Sequence, residues 1–350
     1  MHMADALLSP AVGASMWTVT AGLTVYCARK VKKDADERKA PLMGVLGAFI
    51  FAAQMINFSI PATGSSGHLG GGMILSILLG PYAAFLTIAS VLTVQALFFA
   101  DGGLLALGCN IFNLGFFPCF IAYPFIYKAL TGSSPTRNRI VAAAILASAA
   151  GLLMGASGVI LETVLSGISE LPLGAFALLM LPIHLAIGLV EGLVTSAVVL
   201  FVWKARPEVL TLSAASRPLA GLSLRKLLAG FAAAAVLTGG ILSWFASQNP
   251  DGLEWSMFHT SGHEELAAPA DGLHRALAAF QEKLAFLPDY DFKKPEAVPA
   301  APAPETAPSG PVVQPGTSVA GLVGAALTLA LAGLAGLALG LRRRAAEIRR

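Results

Sequence analysis

Residues 172–203 read PLGAFALLMLPIHLAIGLVEGLVTSAVVLFVW, 32 consecutive positions in which His184 and Glu191 are the only ionisable side chains. A helix needs about 20 predominantly apolar residues to cross a bilayer, so this run predicts a membrane-spanning helix with length to spare. Outward from it, further apolar segments fall at about 9–29, 41–58, 70–80, 82–100, 104–128, 138–166, 227–246 and 318–341. The whole chain of 350 residues is 56% hydrophobic and only 12% charged, against about 25% charged for an ordinary soluble domain. Its mean hydropathy of +0.73 agrees. These observations predict an all-α polytopic membrane protein, with about seven segments in an N-terminal bundle and a two-span C-terminal hairpin. They leave no room for a large catalytic domain, and a formal charge of only +3 gives no reason to expect nucleic-acid binding.

The basic residues set the expected orientation. Four clusters, at 29–39, 128–139, 204–226 and 342–350, hold 19 of the 23 Lys and Arg. Nine crossings starting outside would put all four in the cytoplasm, with an external N-terminus and a cytoplasmic C-terminus. The same parity places outside the loop 59–69, the turn at Asp101-Gly102-Gly103 and the stretch 247–317. The last carries ten acids against four bases and ends in a proline-rich run, which reads as a small external module on a semi-rigid tether. The chain divides into a core of 1–204, a basic cytoplasmic linker of 205–226 and an accessory hairpin of 227–350. Gly80-Pro81 marks a turn or kink, and the piece before it is marginal for a full crossing. Cys27, Cys109 and Cys119 lie in apolar stretches and read as packing residues. No basic run precedes the first apolar segment, so a cleavable signal peptide is not expected.

The residues that carry chemistry stand at the start. A free amine at Met1, the deprotonated amide of His2 and Nδ1 of its ring can close two fused chelate rings on one ion. That gives three nitrogens in a plane, and a fourth would complete a square, the geometry favoured by Ni(II) and Cu(II). His68, in the loop TGSSGHLGGG on the same expected side, is the obvious fourth donor. Taken alone, Met-His and one loop histidine are equally what an unstructured terminus and a solvated loop would show. Intramembrane polar residues are costly and hence functional candidates. Gln54 and Asn57, Gln95, Asp101, and Asn110 and Asn113 are candidates to orient the two histidines, and Asp5 to offset the ion's charge. The alternative for the amides is helix–helix glue. His184, Gly188 and Glu191 share a helix face and suit either a relay or packing. His259 and His263, followed by Glu264 and Glu265, have ligand spacing in the external module, although solvated loop residues look the same.

MHMADALLSP, INFSIPATGSSGHLGGG, LTVQALFFADGGLLALGCNIFNLG and HLAIGLVEGLVT, in that order over 1–204, resemble the CbiM/NikM family. These are the substrate-binding components of energy-coupling-factor transporters for cobalt and nickel. The resemblance implies ion binding by the N-terminal amine, the amide and ring of the second-position histidine, and the histidine of the SGH loop: here Met1, His2 and His68. PDGLEWS, at 250–256, resembles the extracytoplasmic motif of the two-span accessory component, present here as a fusion. The family further implies partners: a transmembrane coupling subunit and cytoplasmic ATPase subunits, in the cell (inner) membrane. The chain itself has no nucleotide-binding motif and no HExxH, so the expectation is a transporter subunit rather than an enzyme, with no cofactor and with Ni(II) or Co(II) as cargo. The alternative is a self-sufficient secondary permease driven by ion gradients.

Overall fold

A computed structural model describes residues 2–34, 38–169, 171–215, 217–219, 222–293 and 314–348. Met1, the proposed first donor, lies outside the described residues. So does most of the proline-rich tether.

Proline and glycine punctuate the helices. Helix α1 (Pro10–Asp34) and α4 (Pro81–Phe99) each begin on a proline, whose missing N–H costs nothing in a first turn. The chain reverses between α3 (Gly72–Leu79) and α4 at Gly80, which has φ of 79°. α2 spans Lys39–Gln54. α5 (Leu107–Thr131) contains Pro118 and Pro124 and is π-wound over Phe112–Tyr127; the wider winding tolerates the carbonyls that two prolines leave unpaired. α6 (Arg137–Ser166) is capped by the Thr136 hydroxyl and stopped at Gly167. α7 (Leu173–Ala205) is the run quoted above and lies along α6. Their contact depends on small residues: a Cβ on Gly188 would sit 2.7 Å from Ala149 Cα, and one on Gly192 2.4 Å from Ile145 Cα. After the short α8 (Pro207–Ala214) come α9 (Arg225–Gly240), α10 (Gly252–Ser261), α11 (Gly272–Leu284) and α12 (Pro315–Ile348). The Gly-rich α12 packs on α2, where Gly44 lies against Leu329 and Gly333. Among the described residues six helices, α1, α4, α5, α6, α7 and α12, are long and apolar enough to cross a membrane. The fold is an all-α polytopic membrane protein.

The marginal segment at 70–80 has a physical resolution. α3 has eight residues, all buried, so at 1.5 Å per residue it rises only about 12 Å against a hydrocarbon core of about 30 Å. Extended chain makes the rest of that passage. A short hairpin, β1 (Phe58–Ile60) with β2 (Ser65–Gly67), feeds His68 and then Gly70-Gly71 into the bundle. Non-helical backbone survives at such depth only where protein satisfies its polar groups. Glu191 of α7 does so, its two carboxylate oxygens accepting Gly70 N–H at 2.9 Å and Gly71 N–H at 3.1 Å. Gln54 Nε2 donates to Gly70 O at 2.9 Å, and Gln95 Nε2 donates to Gln54 Oε1 at 2.9 Å. Glu191, read from sequence as a relay or a packing residue, is a backbone clamp.

The bundle has two unlike ends. At one, Arg38 donates to Leu219 O, Lys128 Nζ donates to Ala214 O, and Ser213 Oγ donates to Leu78 O, so three of the basic clusters gather together. The other end carries His2, His68 and Asp101, covered by 247–293. That segment is docked: Gln281 Nε2 donates to Ala96 O and Gly102 O, Leu287 N–H donates to Phe98 O, and Tyr290 stacks on Phe99 with centroids 5.1 Å apart.

Glu191→Ala strands two buried N–H groups, each worth about 1–3 kcal/mol when unsatisfied. Unfolding in mixed micelles is expected to show a loss of about 2 kcal/mol or more; wild-type stability would refute the clamp.

Candidate metal centre

The N-terminal segment is held by side chains that imitate a neighbouring strand. Asn110 accepts Met3 N–H on Oδ1 at 2.8 Å and returns Nδ2 to Met3 O at 3.2 Å, while Gly103 N–H donates to the same carbonyl at 2.9 Å. Asp5 Oδ1 accepts Ala106 N–H at 2.9 Å, and His274 of α11 meets Leu8 O at 2.8 Å. Met3, Leu7 and Leu8 are fully buried between these ties. Gly103 is required there, because a Cβ would fall 1.8 Å from Asp5 Oδ1.

This anchoring brings His2 onto His68. Their rings stack with centroids 4.9 Å apart and planes inclined by 18°. His2 Nδ1 lies 2.8 Å from Asp101 Oδ1, and the other Asp101 oxygen accepts the Tyr290 hydroxyl. His2 Nε2 is buried with no hydrogen-bond partner among the described residues. His68 Nδ1 is 3.1 Å from Leu69 O; with the proton assigned there, the lone pair stays on Nε2. Nε2 in turn lies 4.0 Å from Asp251 Oδ2.

Electrostatics keep the His68 imidazole unprotonated. Burial, with the positive charge of neighbours including His2, lowers the His68 imidazole to about 3, so it is neutral throughout the physiological range. Burial opposes ionisation of Asp101, yet the charge and hydrogen bond of His2 and the hydroxyl of Tyr290 bring it down to about 2. Above the pair lies a cavity of about 700 Å³, lined from the N-terminal half by His2, Asp5, Asn57, His68 and Asp101 and from the C-terminal half by Asp251, Glu254, Glu265 and Asp289. No Lys or Arg is among its described lining residues. Carboxylates focused in such a cleft raise the local concentration of cations.

Of the remaining sequence candidates, Gln54, Gln95 and Asn110 position the His68 loop or the N-terminal segment. Asn57 lines the cavity, and its carbonyl accepts Ser247 N–H. Asn113 is engaged elsewhere, donating to Glu162 at 2.7 Å to tie α5 to α6. His259 packs against Trp255 with the two rings tilted and meets Trp255 O, and His263 is exposed. Among the described residues no three His, Cys, Asp or Glu side chains gather as an ion-holding group. Sequence reasoning missed Asp251, Tyr290 and Gln281, which reach the site from the C-terminal half. Only the PDGLE motif signalled any of them.

Comparison with known proteins agrees with this architecture. Residues 2–209 match the family described as cobalt uptake substrate-specific transmembrane region, and 225–341 match the PDGLE domain. A protein of Archaeoglobus fulgidus that carries the name NikMN is 35% identical, over 63% of this chain and 71% of its own. The fused nickel transport protein NikMN of Rhodobacter capsulatus is 32% identical over 60% and 64%, and the cobalt transport protein CbiM of Sorangium cellulosum 28% over 60% and 94%. The crystal structure of a truncated transition metal transporter superposes with a TM-score of 0.52 at 30% identity, covering 59% of this chain and 99% of that one. Fold and comparisons together define a membrane component of nickel or cobalt transport. The chain belongs to the CbiM family of cobalt-uptake substrate-specific transmembrane proteins, and a PDGLE domain follows the family region.

Asn110→Ala removes both ties to Met3. Hydrogen exchange of the 2–8 peptide is expected to accelerate about tenfold or more, as local opening becomes easier, while α6 and α7 keep their protection.

Proposed function

We propose that this chain captures Ni(II) or Co(II) at the external face as the substrate-binding component of an energy-coupling-factor uptake transporter. The donors are the Met1 amine, the amide and Nδ1 of His2, and His68. The observation that supports this most is the buried stack of the two histidine rings, brought together from distant parts of the chain with an ionised carboxylate on Nδ1. A four-nitrogen plane suits Ni(II), and most of its donors are main-chain atoms or single rings rather than a cluster of side chains.

Capture releases protons to solvent: the Met1 amine and the His2 amide must each give one up before they can donate a lone pair to the ion. A ligating histidine must be unprotonated at the donor atom, so the ion takes the position of the proton that His2 Nδ1 shares with Asp101. The carboxylate left beside it offsets the buried positive charge, whose desolvation would otherwise be costly. His68 needs no such exchange, because its Nε2 carries the lone pair. Three of the four basic clusters gather at the opposite end, which the positive-inside rule assigns to the cytoplasm; the ion site, the N-terminus and 247–317 are then external and the C-terminus cytoplasmic. Residues 1–204 form the ion-binding core, 205–226 the cytoplasmic linker and 227–350 the accessory hairpin. A coupling subunit and ATPase subunits in the cell (inner) membrane supply the energy for inward release.

Inserting one alanine after Met1 retains both histidines but breaks the fused chelate, and equilibrium dialysis is expected to show Ni(II) binding severely weakened. Undiminished stoichiometric binding would falsify the chelate. His68→Ala is expected to lose about tenfold or more, the scale seen for metal-supporting groups. Uptake in cells is expected to require the ATPase subunits; undiminished uptake by this chain alone favours the secondary permease. The acidic cavity adds a kinetic expectation: the Ni(II) association rate falls several-fold from about 10 to 150 mM salt, whereas a flat dependence removes steering.

A further inference from the structure

The chain from Gly272 to Phe292 closes the ends of membrane-spanning helices. The last carbonyls of a helix have no partner within it, and at the His2 end of α4 the cover supplies them: Gln281 Nε2 donates to Ala96 O at 2.8 Å and Leu287 N–H donates to Phe98 O at 3.3 Å. On the same face of α11, His274 meets Leu8 O, just before α1 begins. Farther along, Asp291 lies against Gly316 in the first turn of α12.

These contacts fix the depth of α11. The 19 residues of α4, at 1.5 Å per residue, rise about 28 Å and so nearly fill a hydrocarbon core of about 30 Å. A helix bonded to the last turn of α4 therefore lies at the edge of the hydrocarbon. Because its anchor points stand at the ends of two different spanning helices, its axis runs along the membrane surface rather than through it.

The residues of α11 sort into three faces. His274, Ala278 and Gln281 face the bundle and the cavity over the histidine pair. At 3.6 residues per turn, Arg275, Glu282 and Lys283 fall on one flank of that face, and Leu273, Ala276, Phe280 and Leu284 on the other. The charged flank is exposed. So is the apolar one, with Leu273 43% and Phe280 53% exposed, and it continues through Phe286 at 46% and Phe292 at 52%. Phe286 also packs on Phe98 and Phe99, with centroids 5.7 and 6.2 Å apart, so this apolar surface runs on into the end of α4.

We propose that α11 and the chain to Phe292 form an in-plane membrane anchor at the His2 end of the bundle. Leu273, Phe280, Phe286 and Phe292 insert beneath the lipid headgroups, while Arg275, Glu282 and Lys283 stay in water. A helix divided in this way, with its axis at the hydrocarbon edge, suits the boundary between headgroups and acyl chains. The cover over the histidine pair is then held by hydrogen bonds to the bundle on one side and by lipid on the other. This anchoring is independent of which ion the site takes.

The test is spin labelling of the full chain in vesicles of phosphatidylcholine and phosphatidylglycerol, with oxygen as the lipid-soluble relaxation agent and chromium oxalate as the aqueous one. Labels are placed by Leu273→Cys, Phe280→Cys and Phe292→Cys on the apolar surface and by Arg275→Cys and Glu282→Cys on the charged flank. The three native cysteines are buried, and the wild type taken through the same labelling gives the background. All five positions are exposed, so the variants are expected to keep the wild-type melting temperature. The ratio of oxygen to chromium oxalate collisions at the apolar positions is expected to be at least about fivefold that on the charged flank, as insertion by about 5–10 Å requires. Equal access of chromium oxalate to both flanks overturns the proposal, since α11 then stands clear of the membrane. Shielding of the apolar positions from both reagents also overturns it, because a protein neighbour, a second copy or a coupling subunit, then covers this face in place of lipid.

Discussion

The carboxylate of Glu191 accepts two consecutive backbone N–H groups, those of Gly70 and Gly71, inside an apolar helical bundle. Extended backbone at that depth has no water to turn to, and each unsatisfied group would cost enough to forbid the loop. With the clamp present, the hairpin β1–β2 can enter the bundle, α3 can be short, and His68 comes to rest between the helices rather than in solvent. Gln54 and Gln95 extend the same support to the Gly70 carbonyl and link it to α2 and α4. This polar chain ties the loop to three helices through four hydrogen bonds.

A second constraint is electrostatic. The candidate site sets a neutral His68 among carboxylates, a division that follows from burial. His68 is buried deeply enough to stay unprotonated, while Asp101 stays ionised because His2 and Tyr290 face it. The carboxylates lining the 700 Å³ cavity give approaching cations an attractive field before any bond forms.

The C-terminal half belongs to the same physical unit. Tyr290 bonds Asp101, Gln281 bonds the carbonyls of Ala96 and Gly102, His274 meets the N-terminal segment, and the PDGLE turn is tied to Ser66. The external stretch read from sequence as a tethered module is, over 247–293, a cover docked on the histidine pair. Composition signalled its solvated character but not its docking, because the contacts are main-chain hydrogen bonds and single aromatic rings that no local pattern announces.

Much of this protein is legible from residue order. Apolar run lengths determine the helical membrane class, Gly80-Pro81 the reversal between α3 and α4, and basic clusters the difference between the two ends. The order Met1-His2 and the SGH loop name a candidate ion site only together with the family resemblance, although the chelate itself depends on atoms close in sequence. Tertiary structure alone decided which polar residues serve that site. Asn110 and Asn113 are three apart on one helix, yet the first holds Met3 and the second turns to Glu162, because at that spacing only packing sets which neighbour each side chain meets. Glu191 became a clamp and Asp251 a neighbour of His68 for the same reason: both meet residues far away in sequence. Such pairings depend on how helices pack, which the periodicity of any one segment does not encode.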